Sequence, residues 1–464
     1  MPMSVELRTL SLSTRAERFR KGKELRRAVP REAHADLKGL GSRSAVAILA
    51  ESDPDRVPEL VSERYRRMME NPFAFLRGAA AVMATDLAQQ PVSGIKVQAS
   101  GDSHLMNFGA FATPEDNILF DANDFDETLP GVDFIVDLKR LATSVAVAAL
   151  ANGETKNRAR ARAATTVTAY RKHMLRLLTL SPLEIWHSRI DLEQELKLIG
   201  NKALRRKLAT IIGKARGEGL EKDDNFPRLV SGSELRIADK PPAIFHLDPK
   251  ANAAHRLDAE RVFALYRDCL NTDRRHILDQ HKIVDLVFKA VGVGSVGTFC
   301  CVALLMTGDS EPLFLQLKQA QRSVLERLGG GLAYEGHQGR RVVEGQQMMQ
   351  AASDIFLGYT QDEESGRQFY VRTLKNHRLG GISEISEAQA LSDYARLCGR
   401  TLARAHARSG DPALIAGYMG KSEAMDDAIA SFAVAYAGQT VIDHAALIKS
   451  KTARDKKKLK LVAA

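Results

Sequence analysis

The spacing of apolar residues changes along this chain, and each change of period marks an element. Residues 71–87, NPFAFLRGAAAVMATDL, hold apolar positions at helical spacing with Arg77 and Asp86 as interruptions, which predicts a helix packed in a core. From 101 the pattern turns into a loop, then two apolar runs around the polar turn 114–117, then an acidic loop, so a hairpin is expected there. Asp137, Leu138, Lys139, Arg140 and Leu141 open an apolar helix. Residues 157–225 read as long basic helices that include Trp186, with a connector rich in glycine and charge over 208–225.

Farther along, the period shortens. Residues 299–306 form an apolar strand-like run, and after a turn at 308–312 the sequence alternates. Phe314, Gln316 and Lys318 fall on one face of that strand, and Leu313, Leu315 and Leu317 on the other. A helical pattern at 343–350 precedes two more strand-like runs, 355–360 and 368–374. Helical spacing returns at 402–407, where the pattern ends in Gly410, Asp411 and Pro412 and then resumes. No internal repeat is present, and the chain reads as an α+β protein.

Residues 101–126, GDSHLMNFGAFATPEDNILFDANDFD, concentrate the candidate chemistry. Phosphoryl transfer needs a carboxylate to orient an attacking hydroxyl, and an amide with a second carboxylate to hold Mg²⁺ on nucleotide phosphates. Asp102, Asn107 and Asp124 supply those residue types, with Asp121 and Asp126 as rivals of Asp124. Their hard oxygen ligands suit Mg²⁺ rather than zinc, and His104 is the softer donor nearby.

The run from Gly101 to Leu141 resembles the aminoglycoside and choline kinase-like branch of the protein-kinase superfamily, in which a G-D-x-x-x-x-N loop precedes a D-F metal loop and a D-L helix start. The resemblance implies that Asp102 is the catalytic base, that Asn107 and Asp124, with Asp126, are metal ligands, and that Asp137 braces the catalytic loop. GDSHLMNFG with NDFDET also resembles a large bacterial family known only as a domain of unknown function, over most of the chain. A kinase-like reading needs a phosphate cradle, and Gly292, Gly294, Ser295 and Gly297 offer one in G-x-G-x-x-G form, leading into a strand as in kinases. Lys318 is then the phosphate-side lysine, and Glu344, in preference to Glu326, its helix partner. Arg77, Arg341, Asp354 and Arg372 are further candidates for the cleft.

In ordinary kinases the glycine loop and lysine come first, whereas here they follow the catalytic loop. The expected architecture is therefore a protein-kinase-like two-lobe fold, circularly permuted, with helical additions. Its parts are an N-terminal helical segment (1–95), catalytic and metal loops of the large lobe (96–150), a helical region (151–284), a nucleotide-binding small lobe (285–380), C-terminal helices (381–448) and a basic disordered tail (449–464).

Composition narrows the setting. A chain of 464 residues with 44% hydrophobic content can build sizeable cores. No apolar run spans a bilayer and the N-terminus lacks a secretory pattern, so the expectation is a cytoplasmic protein. Cys269, Cys300, Cys301 and Cys398 have no metal-like spacing and read as reduced and structural. The net charge of +10 is carried by the two ends: residues 1–31 hold nine Lys/Arg against three acids and 449–460 seven against one, which leaves the body at −2 and argues against nucleic acid. The expected activity is ATP- and Mg²⁺-dependent transfer to a hydroxyl on a small-molecule or protein acceptor. A metal-dependent phosphoesterase, a non-catalytic nucleotide-binding regulator and AMP transfer on the same scaffold are the alternatives.

Overall fold

The computed structural model describes residues 13–37, 43–115, 117–215, 227–230, 235–241, 243–246, 248, 250, 256–290, 294, 296–374 and 387–462. Its architecture is mixed α+β. The helix Ile135–Ala151 is apolar almost all round and lies at the centre of the helical part. Helices Lys156–Leu177, Ala388–Ser409 and Ala424–Val462 cover it, and together with Pro412–Met419 they bury the largest apolar cluster.

Two small ladders stand at the edge of this helical layer. Strand β1 (Lys96–Ala99) leads into the 100–107 loop, and β2 (Phe108–Ala112) and β3 (Ile118–Ala122) form the expected hairpin, with Phe108 opposite Ala122. Strand β4 (Leu129–Asp133) returns antiparallel to β1 and feeds directly into Ile135–Ala151. A minor ladder follows between β5 (Leu229–Val230) and β6 (Arg236–Ile237).

The second part is a six-stranded antiparallel sheet. It comprises β7 (Ile244–His246), β8 (Lys282–Lys289), β9 (Cys300–Met306), β10 (Pro312–Gln319), β11 (Gly358–Gln361) and β12 (Gln368–Thr373), in the order β11-β12-β10-β9-β8-β7. The alternation read in β10 is realised: Leu315 and Leu317 pack with Phe288, Val371 and helix Ala259–Cys269, whereas Phe314 joins Val302 and Leu304 on the opposite face. Lys318 shares the Phe314 face and is 2% exposed. All four cysteines are free thiols.

Three elements depart from the sequence reading. The 71–87 helix is broken into Pro72–Gly78 and Ala80–Leu87 beside Gly78, a weak helix former. The sheet begins at Ile244, inside the 151–284 stretch expected to be helical, because a three-residue strand leaves too short a pattern to see. Where a disordered tail was expected from 449, the backbone continues as helix to Val462, since the segment contains neither glycine nor proline. No described helix is long and apolar enough to cross a membrane.

Candidate active site

The loop that carries Asp102 is built from its backbone outward. Asp137, in the first turn of Ile135–Ala151, accepts the Ser100 and Gly101 N–H groups at 2.7 and 2.9 Å. Gly101 sits at φ 83, and a Cβ there would lie 2.4 Å from the Glu127 carbonyl oxygen, so only glycine fits. Asp137 is held in turn by His406 Nε2 at 3.2 Å, and His406 Nδ1 lies 2.9 Å from the Tyr170 hydroxyl. Asp137 and His406 are fully buried, so this chain of polar groups fixes the loop without competition from water.

Asp102 faces a cavity of about 530 Å³. Its Oδ1 accepts from Arg140 Nε at 2.6 Å, and Arg140 Nη2 also donates to the Leu76 carbonyl. Burial raises the Asp102 pKa, and the Arg140 charge pulls it back down. Asp102 Oδ2 lies 3.7 Å from His104 Nε2. The Asn107 side-chain N–H₂ donates to the Asp102 carbonyl at 2.7 Å, which leaves the amide oxygen as its ligand atom.

Asp124 and Asp126 line the same cavity, and Asp124 Oδ1 accepts the Asp126 N–H at 3.4 Å. Asp126 is engaged: its Oδ2 accepts from Lys318 Nζ and its Oδ1 from the Tyr370 hydroxyl at 2.8 Å. Burial alone would push the Lys318 ammonium down, but Asp124 and Asp126 together raise it, so it stays charged. Arg372 backs the group by donating to the Asn123 carbonyl at 3.1 Å and to Gln316 Oε1.

The partner expected for Lys318 is corrected. Glu344 lies exposed on helix Gln338–Met349, where it pairs with Arg340 at 2.7 Å, and Glu326 pairs with Arg322. Helix geometry explains the difference, because the face of Gln338–Met349 turned to the acidic loop is that of Arg341 and Gly345. Arg341 donates to the carbonyls of Thr128, Asp126 (2.9 Å) and Gln321 (2.7 Å), and a Cβ on Gly345 would lie 2.4 Å from Thr128. Glu344 is rotated off that face. Asp121 also leaves the candidate metal set, since Arg404 Nη2 donates to both its oxygens at 2.6 and 2.8 Å in the core. Asp354 accepts the Thr373 and Phe356 N–H groups and serves the β11–β12 end of the sheet instead of the cleft.

The glycine turn joins β8 to β9. Gly294 lines the cavity with Asp102, Asn107 and Asp124, and Gly297, at φ 86, packs against Arg56. Gly292 and Ser295 lie outside the described residues. Among the described residues no three His, Cys, Asp or Glu side chains group as a metal site. A cation here would have the Asp124 carboxylate and the Asn107 amide oxygen, a donor set that suits Mg²⁺ shared with phosphates and water.

Sequence reasoning missed Arg140, Glu127 and Arg56. The Glu127 carboxylate accepts the Val324 N–H at 2.7 Å, and burial pushes its pKa up from 4.5 to about 7. A raised carboxylate favours the neutral form in the fold, so its stability contribution is complete below pH 4.5 and is lost as the pH rises through 7. Glu127→Gln should therefore gain on the wild type by about 2 kcal/mol between pH 4.5 and pH 8, allowing for cavity solvent. Urea unfolding at both pH values measures this, and a pH-independent difference would refute the burial argument.

A family model for uncharacterized proteins conserved in bacteria, DUF2252, matches residues 56–450. The chain belongs to this family. No curated protein and no solved structure matches it. The DUF2252 match takes in the Asp102 loop, the acidic cluster, the glycine turn and Lys318, whereas Ile48, Glu51, Ser52 and Asp55 of the cavity wall precede it.

Proposed function

We propose that this DUF2252 protein is an ATP- and Mg²⁺-dependent phosphotransferase acting on a hydroxyl-bearing acceptor, on a kinase-like two-lobe fold with the lobes in permuted order. The observation that carries this reading is the single cavity in which Gly294, from the sheet, meets Asp102, Asn107 and Asp124, from the hairpin region. Lys318 and Asp126 tie the two parts together at that point.

The permutation is supported by adjacency in space. Helix Ala388–Ser409 ends against β1: Gln98 N–H donates to Ser409 Oγ at 2.9 Å, although 311 positions separate them. A Cβ on Gly410 would lie 2.7 Å from Val97. The helix end that leads directly into the catalytic loop in ordinary kinases is thus beside that loop here without being joined to it.

In this reading the acceptor hydroxyl attacks the terminal phosphorus, its proton passes to Asp102 Oδ2, and the bond to the leaving diphosphate oxygen breaks. Arg140 holds Asp102 in place, and Lys318, buried behind the cavity lining and kept charged, orders the acidic loop through Asp126. Mg²⁺, held by Asp124 and Asn107, would neutralise phosphate charge. The phosphoesterase alternative wants several metal-binding histidines, and among the described residues His104 is the one that lines the cavity, with Nδ1 accepting the Met106 N–H.

Thermal unfolding with ATP, with and without Mg²⁺, tests the proposal. The wild type should show a Mg²⁺-dependent rise in melting temperature that Asp124→Ala abolishes. The absence of any shift in the wild type would reject it.

A further inference from the structure

The cavity has a wall that the proposed reaction does not use. It comes from the helical segment ahead of the catalytic loop and brings in Arg56, Arg64 and Arg77. Two of these are fastened to the glycine turn. Arg56 Nη1 donates to the Val296 carbonyl at 2.6 Å, and the neighbouring Val57 N–H donates to the Gly297 carbonyl at 2.7 Å. On the other side, a Cβ on Gly294 would lie 3.1 Å from the Arg77 carbonyl oxygen, so the Arg77 backbone abuts the turn.

The charges are arranged for an anion. Arg64 already has Asp53, at 3.0 Å. The hydrogen bonds of Arg56 go to the Val296 carbonyl and to Thr298 Oγ1 at 3.5 Å, and its Nε is buried without a hydrogen-bond partner. Burial, with Arg64 beside it, pushes the Arg56 pKa down to about 10 against the opposing pull of Asp53 and Glu127. Of the cavity's central carboxylates, Asp102 is hydrogen-bonded by Arg140 and also feels the Arg77 charge, and Asp126 pairs with Lys318. A half-buried guanidinium with an unpartnered Nε, held at the rim of a glycine turn, suits a phosphate oxygen.

We propose that Arg56 and Arg77 form a two-guanidinium clamp on the polyphosphate chain of the nucleotide, brought to the glycine turn by the N-terminal helical segment. This rests on the nucleotide reading above. It assigns that segment a share of the phosphate site, so that three parts of the chain meet at the phosphates: the acidic loop, the turn and the helical wall.

Calorimetric titration of the full chain in Mg²⁺ tests the clamp, with ATP, adenosine and inorganic tripolyphosphate as probes and Arg56→Gln, Arg77→Gln and Arg56→Lys as variants. Each glutamine variant should bind ATP and tripolyphosphate about 10- to 100-fold more weakly, with adenosine unchanged, and Arg56→Lys should recover part of the loss. Glutamine variants that keep the wild-type melting temperature and the wild-type affinity for both phosphate probes would overturn it. Should Arg56→Gln fail to fold, Arg77→Gln and Arg56→Lys carry the same comparison. Wild-type binding of tripolyphosphate but not ATP, lost in the glutamine variants, would keep the clamp and reject the nucleotide reading; wild-type binding of neither would reject both.

Discussion

Exchanging Asp121 for asparagine should lower the unfolding free energy by about 3 to 5 kcal/mol. Asp121 is 1% exposed and Arg404 is fully buried, so removing the carboxylate charge strands a guanidinium where water cannot replace it. The cost is raised by how little else serves Arg404: Nη2 also reaches the Met349 carbonyl, but Nε and Nη1 are buried without partners. Asp121 further accepts the Ala351 N–H at 2.9 Å, so the pair fastens hairpin β2–β3, the end of helix Gln338–Met349 and helix Ala388–Ser409 to one another. Urea unfolding of the single variant and of Asp121→Asn/Arg404→Met measures the effect. The double variant should be the more stable of the two, because the uncompensated charge is gone. A single-variant loss below about 1 kcal/mol would show that the pair is better solvated than its burial implies.

Asp102→Asn should reduce ATP turnover about 10²- to 10⁴-fold, the range over which a positioned proton acceptor acts. Asparagine keeps an oxygen for Arg140 to donate to but cannot take the acceptor's proton. The loss should therefore appear in kcat, with ATP affinity close to that of the wild type, because the proposed role of Asp102 is in the reaction and not in holding the nucleotide. Phosphate release from ATP, with water as the acceptor, gives both quantities before the natural acceptor is known. Turnover within about tenfold of wild type would remove Asp102 from the role of base.

Legibility in the sequence followed distance along the chain. The hairpin, the buried helix after Asp133 and the face of β10 that carries Lys318 were readable, because each is set by a local period. The Lys318–Asp126 pair spans 192 positions and Arg404–Asp121 spans 283, and no local pattern says which carboxylate a distant cation will meet. Glu344 was the natural guess on the kinase resemblance, yet a rotation of one residue around its helix puts Gly345 and Arg341 on the inner face and leaves Glu344 outside. Arg140 had a readable place, three residues after Asp137 in the opening of an apolar helix, where a charged residue on the buried side needs a partner. Arg56 gave no such signal, because the role proposed for it rests on the contact with the glycine turn some 240 positions later.

The polar brace behind the Asp102 loop has a consequence for biosynthesis. His406 and Arg404, which hold Asp137 and Asp121, follow them by 269 and 283 positions. At ribosomal speeds of roughly 5–20 residues per second, Asp121 of the hairpin and Asp137 of the following helix wait on the order of tens of seconds for Arg404 and His406 to emerge. During that interval Asp137 has the Ser100 and Gly101 N–H groups within reach but not its histidine, so the brace is completed after most of the polypeptide has left the ribosome.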